Sequence, residues 1–197
     1  SLKLVIVEDK SPLRLDIRNE IDLFKKKSDL IVNYFENEIN LGFDKNIRKV
    51  VSKAQGKFTM FMGDDDIFVP KKLDGFINFI KQYNDYGFFL KSSQHVFPDG
   101  KIEKFKYFED NIFQKPSEDS YINFFRKSSY LAGLTINTEY AKKFFTDKFD
   151  GSLLCEVYLC AEMAINYKSA YYDEIVTERQ NEAMPFFGSS DSEKDLY

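Results

Sequence analysis

The sequence has few of the residues that most often mark a metal centre or a secreted fold. Tryptophan is absent and histidine occurs once, as His95, so a site that needs several histidine ligands is excluded. The two cysteines, Cys155 and Cys160, fall in one apolar segment. This position favours buried thiols in a reducing cytoplasm over a disulfide or a metal-binding pair.

An excess of positive charge and long hydrophobic runs are also lacking. The formal net charge of -4 argues against a general nucleic-acid-binding surface. No stretch approaches the ~20 apolar residues that span a membrane, and no signal peptide is visible. The length and ordinary composition predict one domain over residues 1–187, followed by a polar, mobile end at 188–197.

Apolar periodicity predicts strands that alternate with helices in the first half of the chain. This order is typical of βαβ units, so we predict an α/β fold with a mainly parallel sheet flanked by helices. A Pro-Asp-Gly turn at 98–100 indicates a small antiparallel part. The predicted strands cover 3–7, 30–35, 58–62, 88–90, 131–136 and 170–178, and the predicted helices cover 12–24, 43–54, 70–80, 120–125, 138–145 and 153–165.

The most informative stretch is a short apolar run that ends in three adjacent carboxylates. Residues 58–62 lie between two glycines and predict a strand buried on both faces. Asp64, Asp65 and Asp66 follow it, at the end of a strand where open α/β sheets bind ligands. Adjacent acids repel one another unless a cation joins them, so we expect Mg²⁺ or Mn²⁺ with a bridging diphosphate. A solvated acidic turn is the alternative.

Parts of the chain resemble a response-regulator receiver domain. Residues 5–9 resemble its acidic first strand, and residues 66–70 resemble its phosphoacceptor segment, with Asp66 as the phosphorylated residue. The interval between these segments is longer than in a receiver by roughly a dozen residues, an unusual insertion between tightly connected elements. The last part of the chain also lacks a helix-turn-helix pattern that an effector domain would carry.

Five short motifs follow one another along the chain: Glu8-Asp9-Lys10-Ser11, Asn40-Leu41-Gly42, Asp44-Lys45-Asn46, Ala54-x-Gly56-Lys57-Phe58 and the Asp-x-Asp form Gly63-Asp64-Asp65-Asp66. In order and spacing they resemble those of a GT-A glycosyltransferase of the family 2 type, close to abequosyltransferase-like enzymes of O-antigen and capsule synthesis. This second resemblance covers nearly the whole chain. The family's first strand has no counterpart here, so the resemblance implies a domain truncated at its N-terminus.

The resemblance implies an inverting, metal-dependent enzyme of surface-polysaccharide synthesis. It would transfer a sugar from a nucleotide-diphosphate donor to a glycan or lipid-linked acceptor, in the cytoplasm and with peripheral association at the membrane face. Asp65 would be the main metal ligand, with Asp64 sharing the metal or holding the ribose and Asp66 contributing weakly. The residues that would bind the donor nucleotide are Glu8, Asp9, Asn40, Lys45, Asp64 and Arg179.

An inverting transfer needs a general base for the acceptor hydroxyl. Glu156 and Asp150 fit the place that the resemblance gives to this carboxylate, near the start of a late helix. Glu156 lies inside an apolar run, where burial would raise its pKa toward a useful range, although a polar-face glutamate is equally compatible. Two other functions stay open: a sugar nucleotidyltransferase, whose glycine-rich loop is not visible, and an inactive remnant that binds nucleotide sugars.

Overall fold

The structure is a computed structural model that describes residues 2–180. The predicted polar end at 188–197 and the domain boundary at residue 187 lie outside this range. The strands are β1 (Lys3–Glu8), β2 (Ile31–Glu36), β3 (Phe58–Met60), β4 (Asp66–Phe68), β5 (Phe88–Val96), β6 (Ile102–Phe105), β7 (Ile112–Gln114), β8 (Leu134–Asn137) and β9 (Ser169–Gln180). The helices are α1 (Arg14–Lys27), α2 (Phe43–Lys53), α3 (Leu73–Gln82), α4 (Glu118–Phe124), α5 (Thr138–Lys142) and α6 (Cys155–Asn166).

The strands form one small and one large sheet. β1 and β2 pair in parallel, and the larger sheet has the order β3-β8-β5-β9-β4, with β6 on β5 and β7 on β9. The α/β class with flanking helices is confirmed. The prediction of a mainly parallel sheet is wrong for the larger sheet, where β5–β9 is the one parallel pair among the described strands. Periodicity locates strands but does not give their direction.

The core lies on both faces of β5, whose first residues alternate between them. Phe88 and Leu90 pack toward α2, α4 and α6, whereas Phe89 packs toward α3. All three side chains are fully buried, as the two-residue period of a central strand requires. Truncating one such phenylalanine to alanine costs about 3–5 kcal/mol, so β5 is the strand that fixes the sheet between its helix layers.

β3 is less buried than the sequence predicts. It is a three-residue strand that pairs with β8, and within residues 2–180 it has no partner along its other edge. Phe58 and Met60 are therefore half-buried rather than enclosed on both faces. The small sheet is open in the same way, since Leu4 of β1 and Ile31 of β2 are 37% and 52% exposed.

The chain between β3 and β4 links opposite edges of the larger sheet. β4 was not predicted, because three residues give too short a pattern to read. It pairs antiparallel with the end of β9 and places Asp66 opposite Arg179. The turn that carries the three aspartates therefore meets the end of β9, although the two segments are far apart in sequence.

Candidate active site

Asp66 is held in place by two donors at the start of β4. Its Oδ1 accepts a hydrogen bond from the Tyr130 hydroxyl at 2.6 Å, and its Oδ2 accepts from the Gly63 N–H at 3.3 Å. Burial raises the pKa of Asp66 above its ordinary value, and the adjacent charge of Asp65 acts in the same direction. Asp66 is thus an oriented carboxylate that gains from a nearby positive charge.

Arg179 supplies one such charge. Its Nε lies 3.6 Å from Asp65 Oδ2, and both side chains are about one-third exposed. The sequence assigned Arg179 to a donor diphosphate and Asp65 to a metal, and the structure brings the two together at one end of the sheet. Asp64, by contrast, is exposed on the same turn.

The turn leaves a space that two carboxylate oxygens face. A Cβ atom added at Gly63 would lie 2.6 Å from Asp66 Oδ2 and 2.8 Å from Asp65 Oδ1, closer than a side chain tolerates. Within residues 2–180, no three acidic, histidine or cysteine side chains are arranged to hold a metal by themselves. Two carboxylates nevertheless fit Mg²⁺ or Mn²⁺, because these ions keep waters and take further ligands from substrate phosphates.

Glu8 and Asp9 have structural partners at the end of β1. Glu8 is buried and accepts hydrogen bonds from the Ser11 N–H and from Arg14 at the start of α1. Asp9 accepts from the N–H groups of Leu41 and Gly42 at 2.8 and 2.9 Å. Both carboxylates are thus already engaged by contacts within the protein. Nucleotide binding by Glu8 and Asp9 stays a prediction.

The remaining predicted nucleotide contacts lie on or beside the turn before α2. Asn40 is exposed, and its Oδ1 accepts from the Gly42 N–H at 2.9 Å. Lys45 is about half exposed, with its Nζ 3.9 Å from a carboxylate oxygen of Asp150. Asn40 therefore stabilises the turn, and the ammonium of Lys45 stays in contact with solvent.

Asp150 is tightly paired. Arg48 donates two hydrogen bonds to its carboxylate, at 2.5 and 2.9 Å. This guanidinium lowers the pKa of Asp150 below its usual range. A bidentate pair of this kind makes Asp150 a weaker proton acceptor than an isolated aspartate.

Glu156 has the opposite environment, in the first turn of α6. The side chain is 4% exposed, and its buried Oε2 has no hydrogen-bond partner in the part of the chain that the structure describes. Burial raises its pKa to about 7, and the charge of Asp44 adds to the rise. Of the two carboxylates proposed from the sequence, Glu156 has the proton affinity expected of a base near neutral pH.

Sequence reasoning missed Lys91, in the middle of β5. The side chain is fully buried, and its Nζ has no hydrogen-bond partner among the described residues. The ammonium lies over the Phe76 ring, 5.1 Å from its centroid. Burial lowers the pKa of Lys91 to about 7, while the charge of Asp66 acts in the opposite direction. The sequence signal that could have identified it is a single lysine directly after the apolar residues 88–90.

None of the helices within residues 2–180 is long and apolar enough to cross a membrane.

The α/β fold is of the GT-A type. The model of the family "Glycosyl transferase family 2" matches residues 1–136, and the chain therefore belongs to this family. The match decides against the receiver-domain interpretation, in which Asp66 would be phosphorylated.

Solved structures share the fold. S. aureus TarS 1-349 in complex with UDP is similar over 98% of this chain and 53% of its own, with a TM-score of 0.68 and 16% identity. A second structure of TarS 1-349 is similar over 90% of this chain and 51% of its own, with a TM-score of 0.67 and 18% identity.

A curated relative matches over a shorter stretch. It is described as an uncharacterized glycosyltransferase, MJ1057, of Methanocaldococcus jannaschii, and is 27% identical over 90 residues. The match covers 43% of this chain and 31% of the relative. The chain thus spans about a third of this relative and about half of the TarS fragment.

Proposed function

We propose that this chain is the donor-binding part of an inverting, metal-dependent glycosyltransferase. The donor would be a nucleotide-diphosphate sugar, with UDP as the first nucleotide to test because TarS was crystallised with it. The observation that carries the proposal is the pair of carboxylate oxygens, from Asp65 and Asp66, that face the space beside Gly63.

In this proposal the acidic turn would hold Mg²⁺ or Mn²⁺. Asp65 and Asp66 would be its protein ligands, with Asp64 beside them in the sequence. When bound, the ion supplies a Lewis acid that neutralises the charge developing on the diphosphate leaving group. Tyr130 orients Asp66 through its hydrogen bond. Arg179 pairs with Asp65 and would contact the diphosphate.

Glu156 would accept the proton of the acceptor hydroxyl. A carboxylate with a pKa of about 7 is ionised in a large fraction of molecules at neutral pH and binds a proton far more readily than an ordinary glutamate. Asp150 is the weaker candidate, because Arg48 neutralises it. The unpartnered Oε2 of Glu156 supports the assignment, since an orphaned buried oxygen gains a partner when a hydroxyl donates to it.

We also propose that a strand preceding this sequence completes the sheet, as the motif resemblance implies. β1 and β3 belong to different sheets, and each has a single strand partner among the described residues. A strand inserted between them would pair with both free edges and cover the exposed Leu4. The abequosyltransferase-like donor, the glycan or lipid-linked acceptor, the role in surface polysaccharides and a place at the cytoplasmic membrane face are proposals that rest on the motif resemblance alone.

Thermal unfolding with UDP and Mn²⁺ tests the donor site. We expect UDP with Mn²⁺ to raise the melting temperature of the parent protein, and EDTA to remove the effect. At 100-fold excess over Kd, binding stabilises by roughly 2.7 kcal/mol. Asp65→Ala should lose this stabilisation, because it removes a carboxylate from the turn.

The matched control is Asp85→Ala, which removes a surface carboxylate that pairs with Lys168. This variant should keep the full shift. An unchanged shift in Asp65→Ala would contradict the proposed site, and a UDP shift that persists in EDTA would contradict the metal requirement. Binding without turnover in a longer protein would favour the inactive remnant.

A further inference from the structure

Asp44, in the first turn of α2, binds a segment distant in sequence. The side chain is buried, at 3% exposure. Its Oδ2 accepts from the N–H groups of Gly151 and Leu153 at 2.8 and 3.0 Å, and its Oδ1 accepts from the Cys155 N–H at 3.0 Å. These donors are 107 to 111 residues away along the chain. One carboxylate therefore gathers three backbone donors of the 150–155 loop.

The same loop has a second tie to α2. Arg48, one helical turn after Asp44, makes the bidentate pair with Asp150 at the other end of the loop. Both side chains of this pair are largely buried. The 150–155 loop is thus fastened at both ends to one face of α2.

The loop also contains backbone that needs such support. Leu153 has a φ of +62°, in the left-handed region that a leucine rarely adopts. Such a strained conformation persists only where the surroundings fix it. Asp44 accepts hydrogen bonds from the N–H groups of Gly151 and of Leu153 itself. The carboxylate therefore holds the strained Leu153 directly.

Asp44 acts in addition as the cap of α6. The residue before this helix, Leu154, gives no side-chain hydrogen bond to its first turn. The first N–H groups of a helix have no partner within the helix and need an outside acceptor. For Cys155, that acceptor is Asp44. The next residue is Glu156, so the cap fixes the start of the helix and with it the position of the proposed base.

We infer that Asp44 is a positioning residue, which caps α6 from the neighbouring helix and holds the Glu156 carboxylate in the place from which it acts. The inference rests on the proposed function in one respect, the use of Glu156 as base. Asp44 also acts through its charge, because two carboxylates close together disfavour a second ionisation. The groups that interact electrostatically with Glu156 include Asp44 of α2 and Cys155 and Cys160 of α6. Arg48 of α2 and Asp150 of the loop form their own pair beside them.

Asp44→Asn tests the inference without any substrate. Asparagine keeps the size but replaces one acceptor oxygen with an NH₂ group that faces backbone donors. Because the remaining oxygen cannot take both places, hydrogen exchange should show lost protection either at Cys155 or at Gly151 and Leu153. Carbon NMR of the side-chain carboxyls, with Glu156 assigned through Glu156→Gln, should show its titration midpoint move to lower pH. Unchanged protection and an unchanged midpoint would overturn the inference.

The control is Asp150→Asn, which breaks the pair with Arg48 but leaves the three N–H groups on Asp44. Their protection should be kept. If Asp44→Asn does not fold, Asp44→Glu replaces it, because it keeps the charge and moves the carboxylate by one methylene. Protection should then weaken at the three amides while the midpoint of Glu156 stays high. Full protection at all three amides would overturn the inference.

Kinetics in the full-length protein complete the test. With a UDP-sugar donor, we expect Asp44→Asn to lower kcat at least tenfold while the KM for the donor and the melting shift with UDP and Mn²⁺ stay at parent values. If kcat is unchanged, Asp44 does not position the base. If the parent protein itself shows no melting shift, the proposed function fails, and the amide and carboxyl measurements still decide whether Asp44 holds the loop.

Discussion

The acidic turn at residues 63–66 and the start of α6 both place carboxylates beside an apolar segment. The carboxylates of the turn have polar partners, whereas the one at the start of α6 is buried among apolar residues. On the turn, Asp65 and Asp66 are partly exposed and contact Arg179, Tyr130 and Gly63. At the helix, Glu156 is buried with an oxygen that has no partner among the described residues. The first environment directs two carboxylates toward donors and a cation, although burial raises the pKa of Asp66 there as well. The second favours a group that takes up a proton.

The difference comes from the neighbours that tertiary structure supplies. The donors that reach the turn come from β9 and from the segment before β8, more than 60 residues away. The loop before α6 donates three of its N–H groups to Asp44, whereas burial dominates the surroundings of Glu156. Two acids in similar sequence contexts thus acquire different chemistry.

The largest expected effect is the loss of sugar transfer in Glu156→Gln, which separates donor binding from proton transfer. Glu156→Gln keeps the shape and removes the basicity, so the transfer rate of a full-length protein should fall by ~10²–10⁴-fold. Stabilisation by UDP and Mn²⁺ should be unchanged, because the turn is untouched. Asp150→Asn should cost less.

Two outcomes would break this comparison. Transfer at the parent rate in Glu156→Gln would move the base to Asp150 or elsewhere. A collapse of UDP binding in the same variant would show that Glu156 is structural and that the two regions are not independent.

A second effect concerns Lys91 of β5, whose pKa is affected by burial and by the charge of Asp66 on the turn. Its pKa is lowered to about 7, so between this value and its usual 10.5 the unfolded chain binds the proton that the folded protein releases. Stability should therefore rise with pH over this window, by up to several kcal/mol since each pKa unit is worth about 1.4 kcal/mol. Lys91→Met should remove most of this rise, as measured by urea unfolding from pH 7 to 10.

Lys104→Met is the matched control, since Lys104 is exposed on the neighbouring β6. It should leave the pH dependence as it is. A parent protein whose stability does not rise over this range would contradict the lowered pKa of Lys91.

The smallest expected effect tests how far Tyr130 orients the turn. Tyr130→Phe removes the hydroxyl that donates to Asp66 and should destabilise the fold by about 1–2 kcal/mol. It should also weaken Mn²⁺-dependent UDP binding by less than tenfold, because both carboxylates remain. Calorimetric titration with UDP and Mn²⁺ measures the second effect. Loss of binding as complete as in Asp65→Ala would make the hydroxyl a part of the site rather than its support.

The sequence alone located most strands and helices, because the apolar periodicity that marks each of them depends on residues close together in the chain. The order of its motifs also predicted the family and the GT-A fold. The apolar run around Glu156 correctly indicated burial, since five of the six residues from Cys155 to Cys160 are buried. The roles of Glu8, Asp9, Asn40, Lys45 and Arg179 toward a nucleotide stay predictions.

Tertiary structure decided what depends on partners distant in the chain. It set the antiparallel direction of most strand pairs, the position of β4, the burial of Lys91 and the pairing of Arg48 with Asp150. It also gave Asp44 three donors from a loop more than 100 residues away. A sequence pattern reports which face of an element is apolar, whereas the acid–base character of a carboxylate depends on which donors and charges the fold brings to it.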